Sequence, residues 1–253
     1  MTMNPNYPCP VCGGTAPLFD VVDLNKSCQE SVGKFLPLSG IPVYYARCEK
    51  CGFCFAPELM KWPMAEFEKM IYNDDYVRVD PDYIESRPRI YASNLIQTFG
   101  EPAQAIRHLD YGGGNGLLAK LLKTANWQST SYDPFVDRDV KIEQLGKFDL
   151  ITAFEVFEHV PDVHALMSDL RSLLAPNGVI LFTTTLSDGR ILPGQRINWC
   201  YASPRNGHIA LFSRNSLLTL IKAYGFTLAT LSPSTHIFFT QLPPWASHLI
   251  LAE

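Results

Sequence analysis

The chain has 253 residues, a formal net charge of −4 at pH 7 and 18% charged residues. This length allows one sizeable hydrophobic core together with a small accessory module. The acidic balance and the lack of any basic run do not favour a nucleic-acid partner, because phosphate binding depends on clustered Lys and Arg. No run of about 18 apolar residues occurs, so we expect no membrane partner. We expect the protein in the cytoplasm, with its thiols reduced.

Four cysteines near the start of the sequence lie in two short turns. Cys9 and Cys12 form one Cys-x-x-Cys-Gly turn, and Cys48 and Cys51 form the other. Two such turns can direct four thiolates at one ion, so the spacing predicts a tetrahedral structural Zn²⁺ site. Unmetallated thiols or a redox pair are the alternative, and Cys54 repeats the spacing without a following glycine. A closed four-thiolate site has no coordination position for substrate, so we expect the ion to fold the module.

A tyrosine-rich connector follows the cysteine turns. Tyr76 and Tyr83 lie in it, and the run from Ile84 to Phe99 has helical character. The two tyrosines either face an active site or serve as packing residues. The predicted division of the chain is a zinc-ribbon-like module over 1–62, a helical connector or lid over 63–100 and a larger domain over 101–253.

A glycine loop in the middle of the chain is its most informative motif. A predicted buried strand runs into Asp110, and the pattern Asp-x-Gly-x-Gly-x-Gly continues through Gly112 and Gly114. Glycines here permit unusual backbone angles and the close approach of a ligand. A dinucleotide-binding loop needs glycine at the position of Leu117, so nicotinamide binding is not favoured. The alternative interpretation is a glycine-rich turn without a ligand.

A second predicted strand, residues 127–132, ends at Asp133. This position is roughly 20 residues beyond the glycines, the distance at which a strand-end carboxylate meets a ribose in α/β folds. Asp133 is therefore a candidate ribose ligand, although an Asp before Pro134 can also be a simple turn residue. The stretch from Asp133 to Phe148 leaves little room for a full additional strand.

A third apolar strand, residues 148–154, runs into the segment Glu155-Val156-Phe157-Glu158-His159-Val160-Pro161-Asp162. Ligands bind at the carboxyl edge of open α/β sheets, which is where this segment is expected to lie. The run 173–182 then predicts a helix end, a tight turn and a further strand. Asn177 occupies the turn, and Asn tolerates the left-handed backbone conformation that such a turn needs.

The long segment 187–212 is too aromatic for a solvated linker, and we interpret it as a cover over an acceptor pocket. Ser213 is predicted to cap a helix that ends at Gly225. Two strands, about 226–231 and 236–241, complete the predicted sheet. The remaining apolar tail packs back on this domain or against a partner.

These motifs, in this order, resemble class I S-adenosylmethionine-dependent methyltransferases over about residues 100 to 240. The resemblance implies an α/β fold with a Rossmann-like, doubly wound, seven-stranded type of sheet whose last strand is antiparallel. It implies S-adenosylmethionine as cofactor. The implied contacts are the methionine moiety at Gly112 and Gly114, its amino group at Asp110, the ribose at Asp133 and the cofactor rim at Glu155. The acidic adenine contact of many relatives has no assignable counterpart in the short stretch after Asp133, so we expect the adenine at Pro134, Phe135 and nearby backbone.

The layout of the cysteine turns and the connector is also similar to that of nucleotide-sugar C-methyltransferases, which have a further large C-terminal domain. The segment with Glu155, Glu158 and His159 resembles that of ubiquinone-type O-methyltransferases, in which a divalent ion is associated with it. Carboxylates three apart followed by His could hold one ion. The alternative is that they act as helix-start anions and cofactor contacts.

Two histidines are candidates for the base that removes a proton from the acceptor. His159 lies just beyond the third of these strands, and His208 lies in the cover segment. The ordinary pKa of imidazole suits proton abstraction near neutrality, and either residue could instead have a structural role. The sequence predicts methyl transfer to oxygen or carbon of a small sugar-like or secondary-metabolite acceptor. The alternatives are an RNA or protein methyltransferase that binds its substrate through the zinc module, and a catalytically inactive scaffold.

Overall fold

The computed structural model describes residues 5–100 and 105–250 of the chain. Its strands are β1 (Asn6–Pro8), β2 (Thr15–Asp23), β3 (Pro42–Arg47), β4 (Cys54–Phe55), β5 (Arg107–Tyr111), β6 (Gln128–Tyr132), β7 (Phe148–Ala153), β8 (Leu174–Thr183), β9 (Ala210–Leu211), β10 (Thr227–Thr230) and β11 (Thr235–Phe239). Its α-helices are α1 (Met64–Met70), α2 (Tyr76–Val79), α3 (Ser86–Phe99), α4 (Leu117–Thr124), α5 (Val163–Leu173) and α6 (Arg214–Ala223). Within the described ranges, every helix is too short or too polar to cross a bilayer.

The chain folds into two compact units. Of the described residues, unit 1 comprises 5–81, 157–164 and 185–220. Unit 2 comprises 82–100, 105–156, 165–184 and 221–250.

Unit 2 is built on a sheet with the strand order β10-β11-β8-β7-β5-β6. The strands β8, β7, β5 and β6 are parallel, whereas β11 is antiparallel to both of its neighbours. This arrangement confirms the predicted α/β class and the antiparallel last strand. The described residues give six strands rather than the seven of the predicted sheet type, because residues 134–147 contain turns and a short 3-10 helix in place of a strand.

The core of unit 2 forms where α3, α4 and the sheet bury their apolar faces together. Leu118 and Leu122 are one helical turn apart on α4, so both point to the same side and both are buried. The apolar tail packs back onto this core through Ala246, with Trp245 and Leu249 partly buried against it. The other buried members of the core are Ala92, Leu95, Phe99, Ile106, Trp127, Leu150, Val179, Leu181 and Ile237.

Unit 1 contains an antiparallel sheet with the strand order β1-β2-β3-β4-β9. Its last strand comes from the segment 187–212, where Ala210 and Leu211 pair with Phe55 and Cys54. Residues 202–213 are buried, and the ring of Phe212 packs against that of Phe53 with a tilt of 50° and centroids 4.9 Å apart. The second half of the predicted cover segment is therefore part of the core of this unit.

Three predicted helix and turn signals are confirmed. Ser213 Oγ accepts a hydrogen bond from the Ser216 amide, and Ser216 Oγ accepts one from the Ser213 amide, which is a reciprocal cap at the start of α6. Asn177 has φ of 61° and Gly225 has φ of 78°, as the tight turn and the helix end require.

Candidate functional site

The glycine loop follows the carboxyl end of β5 in unit 2. Gly112 has φ of 74° and Gly114 has φ of 54°, a region that residues with side chains rarely adopt. A Cβ atom on Gly112 would lie 2.5 Å from Val156 Cγ2, and one on Gly113 would lie 2.6 Å from Asp110 Oδ2. The loop therefore needs glycine for its backbone angles and for its contacts with the chain behind it.

Asp110 is the last acidic residue before this loop and is only 4% exposed. Its Oδ1 atom accepts a hydrogen bond of 3.1 Å from the Thr152 hydroxyl. Burial raises the pKa of the Asp110 carboxyl to about 7, the hydrogen bond from Thr152 opposes this rise, and the charge of Asp133 adds to it. A cation at this carboxyl would compensate for its lost solvation.

Asp133 lies at the end of β6 and connects that strand to the loop. Its Oδ2 accepts a 2.9 Å hydrogen bond from the Gly114 amide, and its Oδ1 accepts a 2.8 Å bond from the Phe135 amide. A carboxylate has about four acceptor positions, so capacity remains for two hydroxyl groups. Pro134 and Phe135 follow directly and are half-buried.

Glu155 follows β7 and has a left-handed backbone conformation, with φ of 55°. Its Oε1 accepts hydrogen bonds from the Tyr91 hydroxyl at 3.0 Å and the Thr183 hydroxyl at 2.8 Å, and its amide donates to Thr183 Oγ1. An unusual backbone conformation in a non-glycine residue persists only when surrounding contacts hold it, and such residues concentrate at functional sites. Sequence reasoning did not identify Tyr91 and Thr183, because both reach Glu155 from distant parts of the chain.

His159 lies in unit 1, on the segment that continues the chain from Glu155. Its Nδ1 atom is 3.2 Å from the hydroxyl of Tyr72. The main chain of Gly207 passes close to this pair, since a Cβ there would lie 2.6 Å from Tyr72 Oη and 2.9 Å from His159 Nδ1. The sequence offered no signal for Tyr72 as a partner of His159.

The structure brings the two candidate bases together within unit 1. The rings of His159 and His208 are 4.8 Å apart between centroids and meet edge to face. His208 is 5% exposed, and its Nδ1 lies 2.7 Å from the carbonyl oxygen of Tyr201. The Tyr201 hydroxyl donates a 2.5 Å hydrogen bond to Glu158 Oε1. Glu158, His159 and His208 present ligand-type atoms within 4.8 Å of one another, whereas Glu155 is bonded to residues of unit 2.

The four predicted cysteines of unit 1 form a cluster. Their sulfur atoms all lie within 4.8 Å of one another, with 3.6 Å between Cys9 and Cys51 and 3.5 Å between Cys12 and Cys48. A tetrahedral ion with Zn–S bonds of about 2.3 Å would hold its sulfurs roughly 3.8 Å apart, so the spacing fits zinc. The contact with Cys51 lowers the pKa of the Cys9 thiol to about 5, which favours a thiolate in the cluster. Cys54 is absent from this cluster and is fully buried.

Comparison with known proteins identifies the family. Residues 83–231 match the profile of a family described as Methyltransferase domain, which covers more than half of the chain. The ubiquinone biosynthesis O-methyltransferase of Xanthomonas axonopodis pv. citri (strain 306) is 36% identical over 107 residues, covering 33% of this chain and 44% of that protein. The enzyme of the same name from Bordetella avium (strain 197N) is 27% identical over 113 residues, covering 35% of this chain and 46% of that protein.

The fold has solved counterparts as well. An O-methyltransferase family protein from Burkholderia thailandensis superposes with a TM-score of 0.50 and 14% identity, covering 74% of this chain and 67% of that chain. At this identity the similarity concerns the fold alone. The chain matches less than half the length of the two curated relatives. On its matched sequence, its glycine loop and its Rossmann-like sheet, the chain belongs to the Methyltransferase domain family and has the fold of class I S-adenosylmethionine-dependent methyltransferases.

Proposed function

We propose that this protein transfers a methyl group from S-adenosylmethionine to a hydroxyl oxygen of a small molecule. The observation that carries the proposal is the hydrogen bond between Gly114 and Asp133, which joins the glycine loop after β5 to the acid after β6. Ligands of open α/β sheets bind at this edge, outside the carboxyl ends of the strands. The same edge of unit 2 carries Asp110 and Glu155 on neighbouring strands.

Each predicted cofactor residue has a role that its surroundings support. Asp110 would face the ammonium group of the methionine moiety, and Gly112 and Gly114 would allow that moiety to approach the backbone. Asp133 would accept the ribose hydroxyls. Pro134 and Phe135 would contact the adenine. Glu155 would lie at the rim of the cofactor, where hydrogen bonds from Tyr91 and Thr183 hold its carboxylate.

The acceptor is proposed to be a small molecule because of the chain's charge and its relatives. The matched relatives are named as O-methyltransferases of ubiquinone biosynthesis, which supports oxygen as the acceptor atom. The net charge of −4 gives no support for an RNA substrate. A sugar-like or secondary-metabolite acceptor fits the aromatic and polar character of segment 187–212. A panel of phenols, sugars and unfolded RNA, tested for methyl incorporation from S-adenosylmethionine, would separate these classes.

We assign the base to His159, with Tyr72 as its hydrogen-bond partner. The cofactor supplies an already activated methyl group, so the protein has to orient the acceptor and accept the proton of its hydroxyl. Nδ1 of His159 lies next to the Tyr72 hydroxyl, and we assign Nε2 as the atom that receives the proton of the acceptor. His208 is the weaker candidate, because it is nearly buried and its Nδ1 contacts the Tyr201 carbonyl oxygen.

We also propose that Cys9, Cys12, Cys48 and Cys51 hold a structural Zn²⁺. The support is the distance between their sulfurs, together with the hydrogen bond from the Cys51 amide to Cys48 Sγ at 3.4 Å, a type of contact that stabilises a thiolate ligand. In this scheme residues 1–62 act as the zinc module, 63–100 as the connector and 101–253 as the methyltransferase domain.

The Asp133→Ala variant is expected to bind S-adenosylhomocysteine at least ~10-fold more weakly, because hydrogen bonds to a charged group each contribute about 1.5–3 kcal/mol. Isothermal titration calorimetry measures this directly. Asp139→Ala is the matched control, since Asp139 is an exposed aspartate of the same stretch and is not assigned to the cofactor. Equal affinities of the two variants would contradict the ribose assignment, and no binding by the wild type would contradict the whole proposal.

The His159→Gln variant is expected to lower kcat by roughly 10²-fold or more with the best acceptor of the panel, because general-base catalysis contributes about 10²–10⁴-fold. Its affinity for S-adenosylhomocysteine should be unchanged. Tyr72→Phe should give a smaller loss of kcat and shift the acidic limb of the pH profile of kcat, because the Tyr72 hydroxyl contacts His159 Nδ1. His164→Gln is the control, because that ring is on the surface and bonded to the Pro10 carbonyl. If His159→Gln kept full kcat, another base or none would be required.

A further inference from the structure

A row of polar side chains crosses three neighbouring strands in the core of unit 2. His108 on β5 and Thr152 on β7 are fully buried, and Ser129 on β6 is 3% exposed. Ser129 Oγ is 2.7 Å from His108 Nδ1, and His108 Nε2 is 3.0 Å from Thr152 Oγ1. The row ends at Asp110, whose Oδ1 is 3.1 Å from Thr152 Oγ1.

The direction of these hydrogen bonds follows from the number of protons available. Thr152 has one hydroxyl proton and two acceptors, Asp110 Oδ1 at 3.1 Å and the Leu109 carbonyl oxygen at 3.5 Å. The closer acceptor is also the charged one when Asp110 is ionised, so the proton goes to Asp110. Thr152 Oγ1 must then accept from His108, so the ring carries its proton on Nε2. Burial lowers the pKa of His108 to about 3, which keeps the ring neutral and leaves Nδ1 as an acceptor for the Ser129 hydroxyl. Every donor in the row therefore points toward Asp110.

Polar groups in the interior of a sheet are unfavourable unless all of them are hydrogen-bonded, and an apolar side chain at position 108 would suit a strand core. Here each group has a partner, and donors aligned in one direction polarise one another. The last acceptor is the carboxylate next to the glycine loop. A row of this kind stabilises the ionised form of its terminal carboxylate more than the neutral form.

Resting on the proposed cofactor binding, we propose that His108 and Thr152 are positioning residues that orient and help ionise Asp110 for the ammonium group of the bound cofactor. They do so through the hydrogen-bond row from Ser129. Neither residue touches the cofactor in this scheme, and the effect passes through Thr152 Oγ1 to Asp110 Oδ1. The consequence is a dependence of cofactor affinity on the protonation of Asp110.

The sign of that dependence follows from the groups around Asp110. His108 on its own strand is neutral, Thr152 on β7 donates a hydrogen bond, and Asp133 at the end of β6 adds negative charge. In the free protein the pKa of Asp110 is raised to about 7. The ammonium group favours the ionised carboxylate, so binding lowers that pKa. Affinity should therefore fall as the pH drops below 7, by up to tenfold per unit.

The first test uses the free wild-type protein and no ligand. Nitrogen-15 NMR should show a neutral His108 ring throughout pH 5 to 8, and at pH 8, where Asp110 is ionised, the ring should be protonated at Nε2. Carbon-13 NMR of the Asp110 carboxyl should show a midpoint near 7. A ring protonated at Nδ1 at pH 8, or a ring charged near pH 6, would overturn the proposal whether or not any variant folds.

The second test compares Thr152→Val with Thr152→Ser. The valine variant loses the donor to Asp110, so the Asp110 midpoint and the pH profile of S-adenosylhomocysteine affinity should both move up by about one unit. Serine keeps the hydroxyl and should retain the wild-type profile. Identical profiles for the valine variant and the wild type would overturn the proposal. Asp110→Asn should remove the pH dependence.

Failure of this inference can be told apart from failure of the proposed function. If the wild type does not bind S-adenosylhomocysteine, the proposed function fails, whereas the NMR measurements on the free protein still test the row. If the wild type binds S-adenosylhomocysteine and the pH profile of affinity is the same in Thr152→Val, the proposed function stands and the positioning role is wrong.

Discussion

Replacing Cys48 and Cys51 together by Ser is expected to abolish zinc binding and to unfold unit 1. The two residues supply half of the four-sulfur cluster and lie next to the buried residues Phe53 and Cys54, so their loss would also disturb the packing of the core. Structural zinc contributes about 10–16 kcal/mol in small zinc domains, which is comparable to the whole stability of a typical domain at about 5–15 kcal/mol. Metal analysis should give one zinc per wild-type chain and none in the variant.

The control for this experiment is Cys200→Ser, because Cys200 lies outside the cluster and is only half-buried. It should keep one zinc per chain and its cooperative thermal transition. Removal of the metal from the wild type by a chelator should reproduce the unfolding seen in the double variant. A double variant that retains zinc, or a metal-free wild type with an unchanged transition, would show that the cluster does not hold a structural ion.

Features set by short stretches of sequence were predictable. The glycine loop depends on backbone angles that only certain residues allow, and Asn177 and Gly225 have the positive φ values expected of them. The cap at Ser213 likewise involves residues three apart. The spacing of the four cysteines also predicted their cluster, because each pair lies in its own tight turn.

Contacts that join distant parts of the chain were not predictable. Tyr72 meets His159, and Tyr91 meets Glu155, across separations of 87 and 64 residues. The pairing of β4 with β9 has the same origin, and it places half of segment 187–212 in the core of unit 1. Tertiary packing determines each of these contacts, and the local sequence around Tyr72 or Ala210 does not indicate which residue each of them contacts.

The hydrogen-bond row from Ser129 to Asp110 could not be predicted from the sequence. Position 108 lies on a buried strand, and a histidine there has no periodic signal that separates a packing role from a polar one. The polar role of His108 depends on the strand register, which places His108 beside Ser129 and Asp110 beside Thr152 on the neighbouring strands. Strand register is a property of the assembled sheet.

The Gly112→Ala variant is expected to weaken S-adenosylhomocysteine binding by roughly 100-fold, since strain of about 1–3 kcal/mol in the left-handed region adds to a steric clash. The clash is with Val156 Cγ2, which would lie 2.5 Å from the new Cβ and is buried in the same unit. Relief requires the loop or the chain after Glu155 to move, and both carry proposed cofactor contacts. Calorimetry with S-adenosylhomocysteine measures the loss.

Two further variants separate the clash from the backbone strain. Gly112→Ala combined with Val156→Ala removes the clash and keeps the strain, so affinity should recover by about tenfold or more. Gly40→Ala tests strain alone, because Gly40 has φ of 72° and a Cβ atom added there would have no neighbour within 4 Å. It should lose about 1 kcal/mol of stability without any change in binding. If the double variant binds no better than Gly112→Ala, the close packing against Val156 is not what requires glycine at this position.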